Sequence, residues 1–165
     1  MNTAKIYDGP SMLDNDARIV VLVSGLRNPS RNTKTADLLQ VWILLYDVAP
    51  HVAQQTGQDD AVCGDCPLRP YLSDARPDHL PLPCYVTTMH GPRAVWSAAR
   101  DLPVTDPALV RGMVTRLQTV TDGHWRCGTP RTTRKRLPAP DVGVRLGSYG
   151  DPAAVPPHIL PALLG

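Results

Sequence analysis

Polar and apolar positions alternate or run together in short stretches over the first third of the chain, which predicts strands there. Residues 4–8 (Ala-Lys-Ile-Tyr-Asp) form a short strand pattern that Gly9-Pro10 should break. After the turn signal Asp14-Asn15-Asp16, the run Arg18 to Ser24 is β-branched and almost wholly apolar, as a buried strand should be. Asn28 to Asn32 is polar and predicts a loop. From Leu38 to Leu45, a period of two puts Leu39, Val41, Ile43 and Leu45 on one face, with Leu38, Gln40, Trp42 and Leu44 on the other. A helix here would be apolar nearly all round. The pattern therefore predicts a strand returning antiparallel to residues 18–24.

The period then changes. Pro50 to Thr56, closed by Gly57, predicts a short helix with proline in its first turn and glycine at the C′ position. Pro92 to Arg100 predicts a second, with Ala94, Val95 and Ala98 on its apolar face. Asp106-Pro107 opens a third, with Leu109, Val110, Met113, Leu117 and Val120 at helical spacing, ending near Thr121 and before Gly123. Val142 to Gly147 predicts a strand in which Arg145 points away from Val144 and Leu146. It runs into the loop Ser148-Tyr149-Gly150-Asp151-Pro152, and Ile159 to Leu164 starts another helix. Strands followed by helices, then a strand and a helix start, predict an α/β or α+β chain. We read residues 1–165 as a single domain with segments 1–57, 58–100 and 101–165. The last strand–loop–helix unit has no later strand to pack beside it.

Composition sharpens this picture in a few places. There are 18 prolines, and all but Pro10, Pro29 and Pro50 fall at or after Pro67, so the later chain must use short elements and ordered loops. With no Phe, the core rests on Val, Leu, Ile and three Trp. A net charge of +2 points to no particular partner. No apolar run approaches the length of about 18 residues that a membrane span needs. Met1 to Gly9 has no apolar core of a secretory signal. The default expectation is a cytoplasmic protein, where thiols stay reduced and disulfides are disfavoured.

That compartment bears on the most telling motif, Cys63-Gly64-Asp65-Cys66-Pro67, answered by Cys84. A CxxC pair with a further cysteine downstream gathers thiolates around zinc or an iron–sulfur cluster, or makes a disulfide. A metal site is favoured over a disulfide or plain reduced thiols. For zinc, a fourth ligand would come from Cys127, His79, His90 or His51. A second motif, Gly147-Ser148-Tyr149-Gly150-Asp151-Pro152, lies between a strand and a helix start, where α/β folds bind ligands. Its glycines allow close backbone approach, and Asp151 and Arg145 are candidate catalytic groups. Gly147, Tyr149 and Gly150 are candidate cofactor contacts. The plain alternative is a turn in which Asp151 caps the helix before Pro152. Arg131, Arg134, Lys135 and Arg136, with Trp125 nearby, either track a nucleic-acid backbone or form a solvated loop.

Three segments together resemble a known group. They are Asn32-Thr33-Lys34-Thr35 leading to Gln40-Val41-Trp42-Ile43-Leu44; Val62 to Pro67 with Cys84-Tyr85-Val86; and Val144 to Pro156. The combination resembles an uncharacterised family of bacteriophage and prophage proteins with radical-SAM-like features, similar to the phage gene-product-88-like proteins. The resemblance implies a small N-terminal antiparallel sheet leading into an incomplete (β/α) barrel-like unit in the host cytosol. It also implies a cubane cluster on Cys63, Cys66 and Cys84, whose open iron would take S-adenosylmethionine. The compact CxxxCxxC loop of radical enzymes is not present. Members of the family run on past the last residue here and carry a further cysteine-rich segment. The segment 104–141, with Cys127, is also longer than their usual connector. These departures imply a C-terminally truncated relative, or a fragment completed by a protein partner. The alternative function is a zinc-stabilised, non-enzymatic module that binds nucleic acid or a host protein.

Overall fold

A computed structural model of the chain describes residues 2–26, 38–69, 84, 86–120 and 144–165. Within them the strands are β1 (Thr3–Pro10), β2 (Arg18–Ser24), β3 (Leu39–Leu45) and β4 (Val144–Tyr149). The helices are α1 (Pro50–Thr56), α2 (Asp60–Cys63), α3 (Gly91–Ala99), α4 (Pro107–Val120) and α5 (Ile159–Leu164), with a 3-10 turn at Pro152–Ala154. The described strands form one mixed sheet in the order β1-β2-β3-β4. β1, β2 and β3 are an antiparallel meander, and β4 joins β3 in parallel. Among the described residues the sheet is open, with β1 and β4 at its edges, and no closed barrel is formed.

β2 and β3 are inner strands, which explains their unbroken apolar runs. Register pairs Val20 with Leu44 and Leu22 with Trp42 on one face, and Val21 with Ile43 and Val23 with Val41 on the other. Both sets are buried apart from a partly exposed Trp42. The helix α3 lies over the first face. Its Gly91 sits against the Trp42 ring, and Trp96 Nε1 donates to the Leu45 carbonyl at 2.8 Å.

β1 departs from expectation in a useful way. It does not break at Gly9-Pro10 but pairs Gly9 with Ile19 and Pro10 with Arg18. Proline is tolerated because β1 is an edge strand, where a missing amide donor need not interrupt the ladder. A bulge between Lys5 and Tyr7 inserts Ile6, so Ala4, Lys5 and Ile6 are all buried. The buried Lys5 ammonium is satisfied by Asp8 Oδ2 at 2.6 Å and the Arg100 carbonyl at 2.9 Å. Asp8 also accepts from Arg18 Nε at 2.7 Å, and the Arg18 guanidinium stacks 3.7 Å from the Tyr46 ring centre. This network ties the C-terminal end of α3 to the sheet.

The predicted helices form close to their expected bounds. Gly57 closes α1 at φ 77°, the left-handed conformation for which glycine is suited. β4 runs two residues beyond the expected Gly147. Its pairing moves from Gln40–Arg145 to Trp42–Tyr149, so two steps of β3 face four of β4. That irregularity, with Gly147 at φ 61°, breaks the simple alternation, and Leu146 is exposed rather than packed inward. No described helix is long and apolar enough to cross a membrane.

Candidate metal centre

β3 and β4 run parallel, so their carboxyl ends open at the same edge of the sheet. α1 and α2 follow β3 there, and the 3-10 turn follows β4. This is the edge at which open parallel sheets present ligand sites. The two motifs singled out in the sequence meet at it. The Asp151 amide donates to the Val62 carbonyl at 2.6 Å, joining the end of β4 to α2 one residue before Cys63.

The cysteine segment has its own internal scaffold. Asp59, before α2, and Arg69, after Cys66, form a buried ion pair at 2.7 Å. Arg69 also donates to the Gly57 carbonyl at 2.7 Å and the Gly64 carbonyl at 2.9 Å, so one guanidinium holds both ends of the loop. Burial raises the Asp59 pKa, and the hydrogen bonds and charge of Arg69 offset only part of that rise. Ser11 Oγ donates to the Ala61 carbonyl at 2.6 Å and fixes α2 against the chain leaving β1. The Cys66 amide donates to the Cys63 carbonyl at 3.2 Å, closing Cys63-Gly64-Asp65-Cys66 as a turn. Gly64, at φ 53° and ψ −143°, occupies the position that needs a positive φ.

Cys63, Cys66 and Cys84 are partly buried free thiols. Burial pushes the Cys63 thiol up to about 12; Asp59, Cys84 and Cys66 add to the rise and Arg69 opposes it. Cys63 is therefore close enough to Cys84 and to Cys66 to feel the charge of each. Among the described residues, however, no group of three or more His, Cys, Asp or Glu side chains is close enough to hold a metal ion. The donor chemistry suits a thiophilic metal, but closing such a site requires the thiols to draw together.

Tyr149 completes the cluster from β4. It is 3% exposed, and its buried hydroxyl has no hydrogen-bond partner among the described residues. Burial raises its pKa, and Cys63, Asp59 and Cys84 add to the rise. The Cys63 thiol is thus a near neighbour of the phenol.

The other residues of this loop have internal work. Asp151 Oδ1 accepts from the Ala153 amide at 2.8 Å and caps the 3-10 turn, with Pro152 first in it, which is the plain turn reading. A Cβ on Gly150, at φ 85°, would stand 2.5 Å from the Ile43 carbonyl oxygen, and one on Gly147 2.6 Å from the Gly150 oxygen. The close approach that these glycines permit is thus to the chain's own backbone. Arg145 is half-buried opposite Gln40, at the other end of β4 from Asp151, so the two candidate catalytic groups do not stand together. Gln40 instead accepts from Ser148 Oγ at 2.7 Å, a buried bond across β3 and β4.

Cys127, His79 and the basic residues Arg131, Arg134, Lys135 and Arg136 lie outside the described residues. His90 precedes α3 and is exposed, while His51, in α1, has a buried, unpartnered Nδ1. Sequence reasoning missed the Asp59–Arg69 pair and the inward aim of Tyr149. Only the placement of an acid and a base on either side of the CxxC hinted at the pair. A second feature of the same edge is an open cleft of about 500 Å³, lined by Asp14, Asp16, Asp47 and Asp60 around Arg18. No family model, curated protein or solved structure matches the chain, so its function has to be argued from its own residues.

Proposed function

We propose that this chain is a metal-binding protein in which Cys63, Cys66 and Cys84 hold a zinc ion or an iron–sulfur cluster at the carboxyl edge of β3 and β4. The supporting observation is that Cys63 lies within reach of the charge of both Cys66 and Cys84, beside a loop hydrogen-bonded to the helix that carries Cys63. Thiolate ligands select these metals. When bound, the metal would supply either a fixed cross-link between α2, Cys84 and β4, or redox and Lewis-acid chemistry at an open position. Catalysis at the Gly147 to Asp151 loop, with S-adenosylmethionine as co-substrate, draws its support from the family resemblance alone, as does phage origin. A (β/α) barrel-like unit has the parallel β3–β4 pair, with helices in its crossover, as its support.

A zinc-stabilised module without catalysis is the second reading. It is favoured by the internal use of Gly147, Gly150 and Asp151, which leaves that loop fewer groups for a substrate. Metal analysis and a UV–visible spectrum of protein purified without oxygen separate the two. Iron and sulfide, with a brown colour lost in Cys66→Ser, support the cluster. One zinc per chain and no colour support the structural module. Absence of any bound metal from protein purified in both ways, with and without added zinc or iron, overturns both readings.

A further inference from the structure

We infer that Cys63 and Cys66 are a dithiol that exchanges with a small-molecule disulfide, closing the turn between them as an intrachain disulfide. The inference goes beyond the metal reading, because two thiols suffice for it and no third donor is needed. Its ground is the backbone. The Cys66 amide donates to the Cys63 carbonyl at 3.2 Å, so the two cysteines are the first and last residues of a hydrogen-bonded turn. Such a turn keeps the Cα atoms of its ends within about 7 Å. A disulfide spans Cα atoms about 4.4–6.8 Å apart. Gly64, at φ 53° and ψ −143°, supplies the positive φ of the first central position of a type II′ turn. Both thiols are free.

The turn is held from both sides before any bond forms. The Gly64 amide donates to the Asp60 carbonyl at 2.7 Å, and the Arg69 amide to the Cys66 carbonyl at 3.1 Å. Arg69 Nη1 donates to the Gly64 carbonyl at 2.9 Å, and the same guanidinium pairs with the buried Asp59. The fold has thus already ordered the segment that ring closure must order in an unfolded chain. Cys66 is partly buried between exposed Asp65 and Pro67, which leaves it open to a small oxidant. With glutathione disulfide as oxidant, the Cys66 sulfur attacks one of its sulfurs and expels one glutathione thiolate. The Cys63 sulfur then attacks Cys66 in the mixed disulfide and expels the second. The two cysteines lose two electrons and two protons, and one glutathione disulfide becomes two glutathione thiols. Where a metal is bound, this oxidation takes two of its ligands away.

The test equilibrates the reduced, chelator-treated chain with mixtures of glutathione and glutathione disulfide, without oxygen. Acid quenching, alkylation and cleavage before Asp65 then put Cys63 and Cys66 on separate peptides, which stay joined only if a disulfide links them. Wild type should give that linked pair, with Cys84 still open to alkylation. Cys66→Ser should give no linked pair, only mixed disulfides with glutathione. The equilibrium constant for the link should be at least about tenfold higher in the native chain than in concentrated urea, because a disulfide that fits the fold is favoured by it. A link from Cys63 to Cys84, no link in a large excess of glutathione disulfide, or a constant as high in urea as in the native chain would each overturn the inference. Zinc and iron uptake by the reduced chain is measured separately, so failure of the metal reading and failure of this one are told apart.

Discussion

The Asp59 carboxylate and the Arg69 guanidinium meet at 2.7 Å, with their side chains 2% and 7% exposed, on either side of the two cysteines they bracket. Removing one partner of such a pair strands the other charge in the interior. Arg69→Ala should therefore cost about 3–5 kcal/mol. The variant also loses the bonds to the Gly57 and Gly64 carbonyls. Replacing both members by apolar residues, as in Asp59→Leu with Arg69→Met, should cost less than Arg69→Ala alone, because no charge is left buried. Urea unfolding of the metal-free proteins decides this. A double variant less stable than either single one would show that the pair contributes more than mutual neutralisation.

Asp8 gives the fold a predictable weakness in acid. Burial alone would raise its pKa, but the hydrogen bonds and charges of Arg18 and Lys5 outweigh that and hold the carboxyl below its ordinary value. A carboxyl with a folded pKa below its unfolded one contributes stability that is complete above the unfolded value, about 3.9. That contribution fades as pH falls through the lower folded value. Asp59 works with the opposite sign. Its folded pKa is raised, so its contribution diminishes as pH rises from the unfolded to the folded value. Asp8→Asn should flatten the decline in melting temperature below about pH 4. It should also lower stability at pH 7 by about 3 kcal/mol, because Lys5 loses its partner. An unchanged acid slope in Asp8→Asn would assign the decline to other carboxyls.

Two glycines offer a contrast of sign. Gly150, at φ 85°, would place a Cβ 2.5 Å from the Ile43 oxygen and 2.7 Å from the Ile43 Cβ, both in the packed sheet. Gly150→Ala should cost about 3 kcal/mol from backbone strain and overpacking together. Gly112, inside the exposed face of α4, has nothing within 4 Å of a built Cβ. Gly112→Ala should stabilise the chain by about 0.5–1 kcal/mol, since alanine loses less entropy in a helix. Thermal melts of the two variants should move in opposite directions.

Much of the sheet was legible because inner strands write their burial into consecutive residues. Ile19 to Val23 and Val41 to Leu45 are apolar for that reason, and the polar loop between the two strands implied an antiparallel return. α1 was legible from Pro50 and Gly57, which act locally. β1 past Gly9-Pro10 was not, because tolerance of proline depends on the strand's place at the edge, a property of topology. The alternation expected of Val144, Arg145 and Leu146 was disturbed for a similar reason. The period of two holds only while register does, and the irregularity at Gly147 resets it. At the site, Cys63, Cys66 and Cys84 announced themselves by residue type. The union of α2 with the end of β4 through Asp151 and Val62 did not, because a backbone hydrogen bond between distant segments has no residue signature. Glycine at 147 and 150 was ambiguous from sequence, since a close approach to a ligand and one to Ile43 require the same missing Cβ.

Burial of Cys63 makes a last prediction about the metal-free protein. Its thiol is pushed up to about 12, chiefly by burial and next by Asp59. At pH 8 about one Cys63 in 10⁴ would then be thiolate, against about a quarter of an ordinary cysteine. A more basic thiolate is intrinsically more nucleophilic, which recovers part of that loss. The net expectation is alkylation roughly 50-fold slower than for a small-molecule thiol, before any steric protection. The rate should keep climbing between pH 9 and pH 11 rather than level off near 9, because the thiolate population is still growing there. Iodoacetamide labelling of chelator-treated protein, followed by peptide mass spectrometry, resolves Cys63 from its neighbours. Urea should abolish the protection, since the shift belongs to the fold. Rapid labelling of Cys63 at pH 8 in the native protein would mean that its thiol is not held in an apolar setting, and that the packing of α2 against the end of β4 is looser than the 2.6 Å bond between Asp151 and Val62 implies.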